Sequence, residues 1–422
     1  MKNILFIDAD GGWGGAPKSL LTLVKHLDSN TFRPVLLIGM PGPVIDEYRK
    51  RGVSLFIGPI SCFVYSLNNR GYIIKKIIMM VLMAPKAIMT LRRIVKSEGI
   101  RLVHINSIII LPTAFFCKLF FGLPIIFHVR EMFLGNSIGR LQRNLIYLIG
   151  DKIITPSENE AGQFRGERNI DKILIRYNPV DFQEFQFSSR ERERIRTELH
   201  VDEETIIIST FGAIIPGKGQ DRIIDVVREM RGKYDGKMKF LIVGKIEIPE
   251  GKGRLRRLVR FFLGENQLRI FQNELEEKII SYGLQEYISI IEHRKDIWKI
   301  ISASDIVLRT SRLNDPWGRD IIESMVMGRP IVATGIYDGF VEDGENGFLI
   351  PPQRTERETI GKFVVKLSVL MRDKELRESM GKSNVMKGKA LFDPSKYSLS
   401  MEKIYRDVLH KKLEVSELTA EN

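Results

Sequence analysis

Cysteine is nearly absent from this 422-residue chain: only Cys62 and Cys117 occur, far apart and without metal-ligand neighbours. That excludes a disulfide framework and a zinc site, and it points to a reducing compartment. A helix-turn-helix pattern, a Cys/His finger and an RNP-like aromatic strand are also missing. Nucleic acid is therefore not an expected partner, although the formal net charge is +13. Long hydrophobic runs are scarce. The opening "MKNILFIDAD" is cut by Asp8 and Asp10, too short for a signal peptide, and suits a buried strand. Ile108 to Phe127 holds Lys118 as its only charge, yet Pro112 and "GLP" at 122–124 divide it into a buried helix and a strand. Tyr72 to Lys96 is an apolar, basic helical run interrupted by Pro85, too broken to span a bilayer and suited to lying on its surface. A cytoplasmic protein is expected.

What is present suffices for two cores. With 44% hydrophobic and 28% charged residues, the chain is globular and longer than a single core supports. Its first half alternates helical patterns with the apolar runs "NILFID", "PVLLIG", "VSLFIG", "LVHIN", "PIIFHV" and "KIITPS", with a helix from about Ala16 to Leu27 after the first. A second series repeats the alternation: "TIIISTFG", "KFLIVG", "YISIIE", "DIVLRT", "PIVATG" and "GFLIPP". Short strands separated by helices imply an α/β protein with two parallel, doubly wound, Rossmann-like sheets. The turn-rich "RYNPVDFQEF" marks the junction. We expect a first domain over 1–178, a second over 179–394, and a helix near 395–415 that packs back on the first. The charged "SSRERERIRTELHVDEE" is expected to be a solvated helix.

Glycine and charge fall at the strand ends, where open parallel sheets collect ligands. "GGWGGA" at 11–16 lets backbone N–H groups approach a diphosphate. Its spacing is not G-x-G-x-x-G, and no acid follows the second strand, which argues against NAD. In "PGKG" at 216–219, Lys218 lies between a strand and a helix and can meet a phosphate. Gly219 stands where a P-loop needs Ser or Thr, so an ATPase would lack its magnesium ligand. "FHVRE" at 127–131 ends a strand with His128, Arg130 and Glu131 as site candidates. In "DPWGRDIIESMVMGRP" at 315–330, Asp315 sits on a loop before Pro316 and Gly318. Ile321, Ile322, Met325 and Val326 recur at helical spacing and put Glu323 in a first helical turn. Two acids beside a helix N-terminus suit a ligand with both phosphate and hydroxyls, such as a sugar nucleotide.

Taken in order, "GGWGGA", "FHVRE", "TPSENE", "YNPVD", "FGAIIPGKG", "HRKDI" with "SASDIVLRTS", and "DPWGRDIIESMVMGRPIVATG" followed by "GENGFLIPP" resemble the retaining glycosyltransferases of the GT-B fold, family 4-like and group 1. The resemblance runs over nearly the whole chain and is most specific at the two acids and the trailing "GRPIVA". It implies two Rossmann-like domains facing across a cleft and transfer of a sugar from a nucleotide-sugar donor to a glycan or lipid-linked acceptor, with retention. Cell-surface polysaccharide or glycolipid synthesis is the implied setting. The resemblance further implies that Glu323 binds the ribose and that Asp315 lies near the sugar hydroxyls and anomeric carbon. Amides of Trp317, Gly318 and Arg319 would contact sugar hydroxyls, and Lys218 would stabilise the diphosphate. Gly14 and Gly15 amides would approach that diphosphate from the other domain, and the base would lie near His293 and Arg294. No metal or other cofactor is expected.

Three departures stand out. The family's first acid is commonly Glu and here is Asp315. Its usual Arg after the strand-ending Gly is here Ala213. Its usual His appears at Arg130, so either His128 or Arg130 takes that role. Two rival readings keep the fold and change the chemistry: a non-catalytic sugar-nucleotide-binding relative, and a sugar-nucleotide epimerase, which would need no acceptor. A last segment bears on partners. "GKGRLRRLVRFFL" at 251–263 has five basic residues and no acid, with Leu255, Leu258, Val259 and Phe262 on one helical face, which suits an anionic membrane surface.

Overall fold

A strand that is apolar at every position needs cover on both faces, and this requirement organises the molecule. A computed structural model of the chain describes residues 1–62, 70–166, 170–245, 265–313, 315 and 317–420. They form two compact units, Met1–Pro179 with Asp393–Asn422, and Val180–Phe392. The membrane-suited segment 251–263 lies outside the described residues.

The first unit holds β1 (Lys2–Asp10), β2 (Phe32–Met40), β3 (Ser54–Ile57), β4 (Leu102–Ile105), β5 (Ile125–His128), β6 (Lys152–Thr155) and β7 (Ile173–Ile175). They pair in parallel in the order β3-β2-β1-β4-β5-β6-β7. The pleat sends Ile4 and Phe6 into one core and Leu5 and Ile7 into another on the opposite face. The C-terminal helix Pro394–Ala420 belongs to the first of these cores through Tyr397, Met401, Ile404 and Tyr405. Glu402 of that helix accepts the Asp28 N–H at 2.8 Å, and Ser398 donates to the His26 carbonyl at 2.8 Å.

The second unit holds β8 (Ile206–Phe211), β9 (Met238–Lys245), β10 (Ile288–Glu292), β11 (Ile306–Arg309), β12 (Ile331–Thr334) and β13 (Gly347–Ile350). Their order is β10-β9-β8-β11-β12-β13, again all parallel. In both sheets the strand order reverses beside the first strand, between β1 and β4 and between β8 and β11. Ligands of doubly wound sheets collect at such switch points. The glycine loop follows β1 and the Lys218 turn follows β8, so both lie there.

Three expectations need correction. Pro85 does not break its helix: Arg70–Ser97 is continuous with the proline inside, since a proline removes one main-chain bond and long flanking turns hold the rest. Even so, no helix among the described residues is long and apolar enough to cross a membrane. The helix Leu111–Phe121 precedes β5 as expected, but it is buried on one face only; Phe115, Leu119 and Phe120 are exposed. The charged helix Ser189–Glu198 is not wholly solvated. Arg196 is 2% exposed and donates to the Ala303 carbonyl at 3.2 Å and to Asp305 at 3.3 Å. A charge pattern cannot show which arginine reaches a carbonyl far along the chain.

Candidate functional site

Each unit gathers polar side chains at the carboxyl ends of its central strands. In the second unit the turn Pro216–Lys218 joins β8 to the helix Gln220–Met230. It is stitched to the end of β11: Arg312 N–H donates to the Gly217 carbonyl at 2.9 Å, and Thr310 Oγ1 donates to the Gly219 carbonyl at 2.7 Å. Gly219 closes the turn with φ +68°, and a Cβ there would meet the Thr310 carbonyl oxygen at 2.2 Å. Only glycine fits that approach. The stitching fixes Lys218, whose Nζ lies 2.9 Å from Asp315 Oδ2, 97 positions along the chain.

Asp315 also receives Arg309, the last residue of β11, which in turn holds Asp320 at 2.6 and 2.7 Å. Burial opposes ionisation of Asp315, but Arg309 and then Lys218 outweigh it and hold the carboxyl at about 2. Arg309 is itself buried, a cost more than offset by Asp320 and Asp315, which drive its pKa up. Asp315 Oδ1 is buried with no hydrogen-bond partner among the described residues. Such an acceptor costs about 1–3 kcal/mol until a donor reaches it.

The helix after the loop runs Arg319–Val326 with Gly318 as its N-cap. This corrects the place of Glu323. The first-turn acid is Asp320, and Glu323 sits one turn further, 1% exposed, with Arg319 Nε on its Oε1 at 2.7 Å. The apolar spacing of Ile321 to Val326 sets the helix's buried face but not its starting residue. Trp317 packs edge-on against Tyr337, ring centroids 5.5 Å apart. His293 and Arg294 follow the edge strand β10, two strands from β8; Arg294 pairs with Asp296 at 2.6 and 2.8 Å. Neither hydrogen-bonds the Asp315 cluster among the described residues.

In the first unit, Gly14 caps the helix Gly15–His26 with no side-chain bond, so the opening amides of that helix are not occupied by a capping side chain. Gly11 has a packing reason instead: a Cβ on it would meet the Gly42 nitrogen at 2.7 Å and the Met40 carbonyl oxygen at 3.0 Å. Arg130 gathers the residues around it. Its guanidinium donates to Asn106 Oδ1 at 3.2 Å, to Asn178 Oδ1, and to His128 Nδ1 at 3.1 Å. His128 is fully buried and stays neutral; burial first, then Arg130 and His104, press its pKa well below the usual value. Glu131 accepts from Ser107 at 2.6 Å and from the Arg130 N–H at 3.2 Å.

Three residues at these sites were not singled out in the sequence. Arg309 carried a visible signal, a charge closing an otherwise apolar parallel strand. Asp8 lies near the carboxyl end of β1 and Asn106 directly follows β4; Asn106 donates to Asp8 Oδ2 at 2.6 Å. Burial raises the Asp8 carboxyl to about 6 against the lowering effects of Asn106 and Arg130. Asp8 and Asp10 form an acid-x-acid pair, but Asp10 accepts the Gly12 N–H at 3.0 Å. Among the described residues, no group of three or more His, Cys, Asp or Glu could hold a metal ion.

Comparison with known proteins gives two family models in series. "Glycosyltransferase Family 4" matches residues 13–184 and "Glycosyl transferases group 1" matches residues 191–385. Trehalose synthase of Pyrococcus horikoshii is 25% identical over 206 residues, 48% of this chain and 44% of that protein. Alpha-D-kanosaminyltransferase of Streptomyces kanamyceticus is 28% identical over 238 residues, 53% of this chain and 52% of that protein. The chain thus spans about half the length of these curated relatives. Among solved structures, Anabaena HepE in complex with UDP and glucose superposes with a TM-score of 0.77 at 19% identity, over 96% of this chain and 100% of that one. The fold is GT-B, with two Rossmann-like domains.

Proposed function

This chain belongs to the group 1, family 4-like glycosyltransferases of GT-B fold, and from that premise we propose that it moves a sugar from a nucleotide-sugar donor to a glycan or lipid-linked acceptor, with retention. One observation carries the proposal. The Lys218 turn and the Asp315 loop, far apart in sequence, meet at the switch point of the second sheet. In this reading Asp315 Oδ1, buried without a hydrogen-bond partner among the described residues, accepts a hydroxyl of the donor sugar. Lys218 uses one of its three N–H donors on Asp315 and offers the others to the diphosphate.

As the bond from the anomeric carbon to the diphosphate oxygen breaks, negative charge grows on the leaving group. A fixed cation at that point lowers the barrier. The acceptor oxygen bonds to the same face of the anomeric carbon, and its proton leaves with the departing phosphate oxygen. No covalent carboxylate intermediate is assigned. Arg309 holds Asp315 ionised and in place, a positioning role. Glu323 is proposed for the ribose, the amides of Trp317, Gly318 and Arg319 for sugar hydroxyls, and the loop of His293 and Arg294 for the base. In the first unit, Gly14, Gly15 and Arg130 are proposed as ligand contacts, with His128 positioning Arg130. No metal is assigned a step. We place the enzyme in the cytoplasm, at an anionic membrane surface, in cell-surface polysaccharide or glycolipid synthesis.

The test is a nucleotide-sugar panel read first by thermal shift. A donor at a hundred times its dissociation constant stabilises by roughly 2.7 kcal/mol. The stabilising donor is then incubated with lipid-linked and glycan acceptors, and the product anomer is read by NMR. Stabilisation without transfer to any acceptor would leave a non-catalytic sugar-nucleotide binder. Conversion of the donor sugar without an acceptor would leave an epimerase.

A further inference from the structure

The first sheet has a second charged end. At the edge where the chain enters β5, β6 and β7, opposite Asp8 and Arg130, a cavity of about 520 Å³ is lined by five lysines and three aspartates. The lysines are Lys118, Lys152, Lys172, Lys411 and Lys412, the last two from the C-terminal helix. All belong to the first unit.

The aspartates do not neutralise this set. Asp151 accepts Lys118 on both oxygens, at 3.0 and 2.7 Å, and also the Ile125 N–H that starts β5, at 2.7 Å. Three other lysines are held on main-chain carbonyls: Lys152 on Asp171 at 2.7 Å, Lys172 on Tyr147 at 3.2 Å, and Lys412 on Gly122. A carbonyl fixes an ammonium in place without cancelling its charge, and it uses one donor of three. The result is a set of positioned cations whose mutual repulsion is only partly relieved. Lys172 and Lys412 are both pulled below the ordinary lysine value, by burial first; Lys118 and other cations add to the shift and Asp151 opposes it without reversing it. A multivalent anion in the cavity relieves that repulsion and satisfies the remaining donors.

We propose that this cavity is a binding site for a phosphate group, built from the first unit alone and independent of the sugar-transfer reading. Its surroundings bear on where such a phosphate comes from. The lining segments 118–122, 151–152 and 171–172 each have an exposed apolar side chain within three residues: Leu119 and Phe120, Leu148, and Ile170. A phospholipid headgroup would use both features, and a soluble phosphate only the lysines.

Two probes separate the sources: isothermal titration with inorganic phosphate, and co-sedimentation with phosphatidylglycerol or phosphatidylcholine vesicles. The variant Lys152→Gln/Lys172→Gln/Lys412→Gln is expected to lose affinity for the bound probe at least about tenfold, while Lys218→Ala leaves binding at this cavity in place. If the triple variant melts early, the single variants Lys152→Gln and Lys172→Gln carry the test, each with a loss of about threefold. Loss of vesicle binding in Leu119→Ser/Leu148→Ser, with phosphatidylcholine unbound throughout, assigns the site to an anionic phospholipid. Phosphate uptake that this pair leaves unchanged, without vesicle binding, assigns it to a soluble phosphate. The proposal is overturned if neither probe binds, if the lysine variants bind like wild type, or if Lys218→Ala alone removes all phosphate binding.

Discussion

Lys218 and Arg309 both touch Asp315, yet their substitution should have opposite consequences, because one is partly exposed and the other is enclosed by two acids. Lys218→Ala leaves Asp315 paired with Arg309, so melting should barely move. Transfer should fall by about 2–4 kcal/mol in transition-state terms, roughly 30- to 1000-fold in turnover. A loss below tenfold would move the leaving-group role to another cation. Arg309→Met instead strands Asp320 as a buried carboxylate, leaves Asp315 with Lys218 alone, and should cost about 3–5 kcal/mol of stability by urea titration. Asp8 carries the pH prediction. Its carboxyl titrates near 6 when folded against an ordinary 3.8, so its contribution to stability is full below 3.8 and is lost as pH rises through 6. The loss approaches about 3 kcal/mol. Asp8→Asn, which can still accept from Asn106, should therefore gain about that much on the wild type between pH 4 and pH 7.5. An unchanged difference across that range would mean that Asp8 is ionised at its ordinary value.

At the scale of elements, the strands were legible because burial on both faces leaves little but Ile, Leu, Val and Phe, as in Ile206–Phe211 and Ile125–His128. β7 escaped for the same reason in reverse: Ile173–Ile175 is a three-residue edge strand, half-buried throughout, too short to give a pattern. The candidate site was legible as residue types at strand ends. Its pairings were not, since Lys218 with Asp315 joins two different βα loops and Asp8 with Asn106 joins β1 to the loop after β4, contacts that only the folded sheet brings together. Glu323 shows the limit within one element, where periodicity sets the face of a helix and leaves its first residue open. The turn that presents Lys218 offers a test at this scale. Gly219→Ala must hold φ +68° and displace the Thr310 carbonyl. It should cost at least about 2 kcal/mol and lower turnover together with the melting temperature. An alanine variant that keeps both would show that the turn relaxes without Lys218.

For the whole molecule, the chain leaves the first unit after Pro179, builds the second, and returns at Asp393. One core of the first unit is therefore not complete until the last helix arrives. Tyr405 is the centre of that return: it is fully buried, edge-on to Phe6 and Phe32 with centroids 6.2 and 5.8 Å away, and its hydroxyl lies 2.8 Å from His104 Nδ1. Tyr405→Ala removes the ring and leaves a buried histidine without that partner, so the first unit should lose about 3–5 kcal/mol. The second unit's core contains no residue of that helix, and its own unfolding should not shift. The three tryptophans allow the two to be followed separately, because Trp13 lies in the first unit and Trp298 and Trp317 in the second. In a Trp298→Phe/Trp317→Phe background, Tyr405→Ala should move the Trp13 transition to lower urea. In a Trp13→Phe background, the remaining two tryptophans should report an unchanged midpoint. Equal shifts in both backgrounds would mean that the units unfold as one cooperative body and that the returning helix stabilises the entire chain.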